Sequence, residues 1–146
     1  MNKKKKAIKH FTNWLFEEYK APRIPVRVMY YVDYINDNGT DCQGYFGYDN
    51  GEKVILVAAK RIGLTKCLFV IAHEFVHYIQ QLNGRNMSEK EIIEEDAYAF
   101  EKALVGKYLI NHNHIGERIN TVLDVSVPVR LLEQTMKLRE EQNDAT

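Results

Sequence analysis

The run His73-Glu74-Phe75-Val76-His77 holds the side chains most able to do chemistry. Histidines four apart share one face of a helix, so two imidazoles can bind a single Zn2+. The glutamate beside the first can then act as general base on a water activated by that cation. The plainer alternative is a core helix whose histidines are merely hydrogen-bonded. Ile71, Ala72, Phe75, Val76 and Ile79 surround the motif with apolar groups, which makes burial of His73, Glu74 and His77 without a ligand expensive. His73 and His77 are therefore the candidate metal ligands and Glu74 the candidate catalytic base.

A hydrolytic zinc takes three protein ligands and keeps one position open. If the motif helix folds back onto a following helix through Asn83 to Met87, His77 stands about five residues before the bend and Glu94 about six after it. At a rise of ~1.5 Å per residue the two lie level. Glu94 is the first choice for the third ligand, and Asp96, flanking the apolar stripe on its other side, is the second. Glu91 is expected to be occupied in a capping box with Ser88, Glu95 points away from the stripe, and Glu101 stands about two turns too far along. The extended motif H-E-x-x-H-x-x-G-x-x-H is excluded, because it needs Gly and His where this chain has Gln80 and Asn83. His112 and His114, in an Asn-rich segment, could supply a third imidazole or a transition-state donor, but their loop setting favours reading them as surface histidines.

The elements that position these residues are legible as patterns. Ile8, Phe11, Trp14, Leu15 and Tyr19 recur at helical spacing, predicting a first helix from about Lys4 to Tyr19, ended by Pro22 and Pro25. Val26, Val28, Tyr30, Val32 and Tyr34 alternate with the period of a strand. Turn residues at Asn36 to Thr40 and at Asp49-Asn50-Gly51 then separate two more strands, Gly44 to Tyr48 at an edge and Lys53 to Ala59 inside. Thr65 is a plausible cap for the motif helix, which Asn83-Gly84 would stop. Ser88 and Glu91 open the next helix, whose stripe is Ile93, Ala97, Phe100, Leu104 and Tyr108, and Ser126 and Pro128 mark a last one. The expected fold class is α+β: a small antiparallel three-stranded sheet packed on a helical bundle that contains the H-E-x-x-H helix.

With 146 residues the chain suits a single domain, residues 1–146, with a core over about 4–110 and a C-terminal helical extension over 111–146. Twenty basic and twenty acidic side chains cancel, which argues against a dedicated nucleic-acid binder; the run Lys3 to Lys6 reads as a solvated helix start. Two cysteines, Cys42 and Cys67, form no disulfide framework, so a reducing, cytoplasmic setting is expected. No apolar run is long enough to cross a membrane.

These residues resemble the ImmA/IrrE-type metallopeptidases of bacteria, prophages and mobile elements, a group similar in layout to the gluzincins. The resemblance covers roughly residues 26–105. It rests on Val70-Ile71-Ala72-His73-Glu74-Phe75-Val76-His77 after a glycine-containing strand hairpin, and on Glu94-Glu95-Asp96-Ala97-Tyr98-Ala99-Phe100 downstream. It implies a zincin-like fold, Glu94 as third zinc ligand, and limited proteolysis of a regulatory protein, commonly a repressor. Tyr98 stands where that family usually has Asn or Asp. The expected activity is zinc-dependent hydrolysis of a peptide bond in a protein or peptide substrate, with no nucleic-acid or membrane partner. The alternative is a protein-interaction module that keeps the same fold without catalysis.

Overall fold

Apolar residues at helical spacing build the first element, α1, Lys3–Glu18, and bury Ile8, Phe11, Leu15 and Phe16. The computed structural model describes residues 3–112. Helix α1 closes on a residue in the left-handed region, Lys20 at φ 49. The Ala21 N–H donates to the Phe16 carbonyl at 3.1 Å and the Lys20 N–H to that of Glu17 at 3.3 Å, which satisfies carbonyls the helix end would otherwise orphan.

Five short strands follow: β1 Val26–Met29, β2 Ile35–Asp37, β3 Thr40–Cys42, β4 Gly44–Asp49 and β5 Glu52–Ala58. β5 is the central strand of a three-stranded sheet ordered β1-β5-β4, and its Val54, Ile55, Val57 and Ala58 are buried. β4 pairs with it antiparallel through Asn50 and Gly51, both at positive φ (52° and 79°), the geometry of a two-residue hairpin turn. β2 and β3 form a separate hairpin around Asn38 and Gly39, also both at positive φ.

Two expectations for this region are corrected. The alternating run from Val26 to Tyr34 is not one strand: pairing ends at Met29, whose carbonyl accepts the N–H groups of Val32 at 3.4 Å and Ala59 at 3.0 Å. The sheet is mixed, because β1 runs parallel to β5, with Val26 opposite Ile55 and Met29 opposite Ala58. β4 pairs antiparallel on one side of the apolar β5 and β1 pairs parallel on the other, with the β2–β3 hairpin between β1 and β4 in the chain.

Two helices complete the described residues, α2 Leu64–Leu82 and α3 Lys90–Asn111. The chain divides into two compact units within α2, one ending at Phe75 and the other starting at Val76. In the first, Phe75 meets Phe16 edge to face at 5.1 Å and approaches Tyr19 at 6.2 Å. In the second, the expected stripe Ile93, Ala97, Phe100, Leu104 and Tyr108 is buried on α3, joined by Ala103, Val105 and Leu109.

Thr65 lies inside α2 rather than capping it, and the Ser88–Glu91 box does not form. Ser88 instead donates its N–H and its hydroxyl to the Asn86 side chain, at 3.1 and 2.6 Å, and α3 begins after Glu89 without a side-chain cap. A local Asx turn has taken the serine that the helix would have used. The helix expected after Ser126 lies outside the described residues. No helix among them is long and apolar enough to cross a membrane.

The stop of α2 is as expected. Gly84 sits at φ +74, with its N–H donating to the Gln81 carbonyl and the Arg85 N–H to the Gln80 carbonyl, each at 3.0 Å. An alanine there must carry its Cβ into a left-handed conformation. Gly84→Ala is expected to cost roughly 1 kcal/mol of stability, read as a lower urea midpoint at unchanged m-value. An unshifted midpoint would contradict this turn.

Candidate metal centre

One continuous helix sets the relative positions of His73, Glu74 and His77. At 3.6 residues per turn, His73 and His77 stand one above the other. A donor atom from each of the three residues lies within 4.8 Å of the other two. His73 is partly exposed, whereas Glu74 and His77 are 8% and 7% exposed. Two imidazoles suit zinc; the carboxylate in this group is that of the base candidate, Glu74, and Glu94 is not among its three members.

The His77 ring is held at both nitrogens. Nδ1 lies 2.8 Å from Oε1 of Gln80, and Nε2 lies 2.9 Å from Oε1 of Glu94 on α3. Two ligands of one tetrahedral zinc, each at ~2.1 Å from it, stand about 3.4 Å apart. The Nε2 to Oε1 separation is therefore within a small side-chain adjustment of shared coordination. Glu94 keeps a side-chain exposure of 48%, so its outer face is open to water. Level placement of His77 and Glu94 across the bend, expected from the residue count, is observed.

The other candidates are placed differently. Asp96 is paired with Arg85 at 2.9 Å. That ion pair ties the residue just after the α2 stop to α3, and it engages the carboxylate that would have been the second choice. Glu91 and Glu95 are exposed. Tyr98 is 58% exposed. The His112 ring stacks on Tyr108 at 4.4 Å between centroids, and its Nδ1 donates to the Tyr108 carbonyl at 2.7 Å, closing the end of α3. His114 lies outside the described residues.

Three neighbours of the motif escaped the sequence reading. Gly44, at the start of β4, lies so close to α2 that a Cβ there would come within 2.6 Å of Val70 Cγ1 and 3.0 Å of both Cγ and Oε2 of Glu74. A glycine inside a strand pattern is itself the signal of such a close approach. Cys42, two residues earlier, feels Glu74 electrostatically. Burial raises its thiol above the ordinary range, and the carboxylates of Asp37, Glu74 and Asp41 push it the same way. Gln80, 2% exposed, is the other side chain missed; it stands three residues after His77, a helical neighbour position.

Compared with protein-family models, with curated proteins and with solved structures, the chain matches none. The functional reading therefore rests on the donor set itself.

Adding a methyl group at Gly44 crowds Val70 and the base candidate together. Gly44→Ala is expected to destabilise by about 1–3 kcal/mol. Because the nearest clash is with Val70 Cγ1, the Gly44→Ala/Val70→Ala double variant should lose less stability than the two single changes summed. Strict additivity in a thermal or urea denaturation cycle would mean that strand and helix do not meet at this point.

Proposed function

We propose that this chain is a zinc-dependent peptidase of the ImmA/IrrE-like kind, with the metal held by His73, His77 and Glu94 and with Glu74 as general base. One observation carries the reading. Two imidazoles a helical turn apart flank a buried carboxylate, and the second imidazole directs Nε2 at a carboxylate on the next helix, 2.9 Å away.

Zinc in such a donor set polarises a substrate carbonyl and lowers the pKa of a water toward about 7. Every other role falls to the chain. Glu74 accepts the proton of the attacking water and later passes it to the leaving amine. Its burial beside Gly44 restricts the carboxylate to a narrow range of positions, which favours proton transfer along one line. His73 is partly exposed and Glu94 half exposed, so a substrate can reach the ligands from outside. The substrate class that goes with this reading is a protein segment cut at a limited site, a regulatory repressor being the foremost candidate. Two free cysteines suit a reducing cytoplasmic setting.

The test combines metal and cleavage. Protein purified without chelator should carry one zinc per chain, retained in Glu74→Gln and largely lost in His73→Ala and His77→Ala. Glu94→Gln should bind more weakly. Zinc-loaded wild type, incubated with a diverse peptide library read by mass spectrometry, should cut sequences that Glu74→Gln cuts about 10²–10⁴ times more slowly. Chelation should stop cleavage and zinc restore it. Wild type that holds no zinc, or that cuts no faster than Glu74→Gln, overturns the proposal.

A further inference from the structure

A histidine can offer only one nitrogen to a cation, and which one is free depends on where the other nitrogen keeps its proton. The surroundings of His77 decide this through Gln80. That glutamine is 2% exposed and reaches two partners. Its Nε2 donates to the main-chain carbonyl of Ile93 at 3.0 Å, and its Oε1 lies 2.8 Å from His77 Nδ1. A carbonyl can only accept, so the amide NH2 must face Ile93 and the amide oxygen must face His77. An amide oxygen also only accepts. The proton between Gln80 and His77 therefore belongs to Nδ1, and Nε2 is the nitrogen presented toward Glu94.

The same amide reaches the helix that carries Glu94. Ile93 immediately precedes Glu94, so the bond from Gln80 to its carbonyl sets the height of α3 beside the last turns of α2. One side chain thus fixes the orientation of one candidate ligand and the level of another. The α2 stop supports it from behind, since the main-chain carbonyl of Gln80 itself accepts the Arg85 N–H at 3.0 Å and Arg85 binds Asp96 on α3.

We propose that Gln80 is the positioning residue of the metal centre: by accepting a hydrogen bond from the Nδ1–H of His77 and donating to Ile93, it turns Nε2 toward the cation and holds Glu94 level with it. The inference rests on the zinc reading above, but its own content is the direction of the His77 ring. It assigns a role to a side chain that touches neither substrate nor metal.

The test uses the full chain and zinc alone as probe. Gln80→Met keeps the volume and removes both hydrogen bonds, and Gln80→Glu keeps an acceptor toward His77. Zinc affinity, measured by competition with a chromogenic chelator, should fall about 10–100-fold in Gln80→Met and recover only part of that loss in Gln80→Glu, which restores the acceptor toward His77 but not the donor to Ile93. In nitrogen-edited NMR spectra, wild type should show a slowly exchanging His77 Hδ1 proton that Gln80→Met lacks. A folded Gln80→Met that binds zinc as tightly as wild type, or that keeps the Hδ1 signal, overturns the proposal. If neither variant folds, zinc-loaded wild type still decides: a proton on Nε2 with zinc on Nδ1 refutes it, and the reverse upholds it. Wild type that binds no zinc but shows the Hδ1 proton, lost in Gln80→Met, sinks the metal reading alone and upholds Gln80 as the group that orients the ring.

Discussion

A buried imidazole must satisfy two ring nitrogens at once, and much of the second half of the described chain answers that requirement at His77. Each nitrogen left without a partner in an apolar setting would cost on the order of 1–3 kcal/mol. Gln80 accepts from one, and the other faces the Glu94 carboxylate, where a proton or a shared cation must lie between the two acceptors. Gln80 in turn needs a partner for its amide hydrogens, and Ile93 provides it. The consequence is mutual: α2 cannot present His77 in this direction unless α3 stands at the height that brings the Ile93 carbonyl and the Glu94 carboxylate to it.

The bend between the helices is part of the same constraint. Gly84 ends α2 by a left-handed turn, Arg85 follows at once, and its ion pair with Asp96 reaches α3 three residues after Ile93. That pair is only about one-third exposed at each side chain, so it is screened less than an open surface bridge, yet its energetic contribution remains modest. Its value lies in register. It adds a second tie between the end of α2 and α3, about one turn along from the Gln80 tie, and two ties resist sliding where one would allow pivoting.

How much of this was legible beforehand depends on whether the deciding interaction was local. The motif helix, its glycine stop, the apolar stripe of α3 and the Asn50-Gly51 hairpin follow from periodicity and turn chemistry within a few residues. The level placement of Glu94 needed only a count of residues across a short bend. What was not legible turned on competition or on distance. Ser88 had two local options, and the Asn86 side chain won it. β1 pairs parallel with β5, a strand far from it in the chain, and the alternating pattern from Val26 onward disguised β1 as a longer strand. Gly44 read only as an irregular edge residue, because nothing in its neighbourhood names the side chain it must clear.

Gln80 shows why one polar residue was passed over in a sequence that otherwise marked its site clearly. Glutamine at a helix position is ordinarily a solvent-facing residue, and nothing in the identity of a single Gln separates that case from a buried bridge. Here, however, the residues around it on the helix are Val76, Ile79 and Tyr78, all buried, so position 80 belongs to a helix end with little solvent-facing surface. An amide placed there must find partners inside, and the neighbours at helical spacing include the polar His77. Apolar packing carries the stability of both helices, through residues such as Leu68, Ile71, Ile79, Leu104 and Tyr108. The polar chain from Ile93 through Gln80 and His77 to Glu94 adds little to that total and instead selects one arrangement of the helices among those that would bury the same apolar surface.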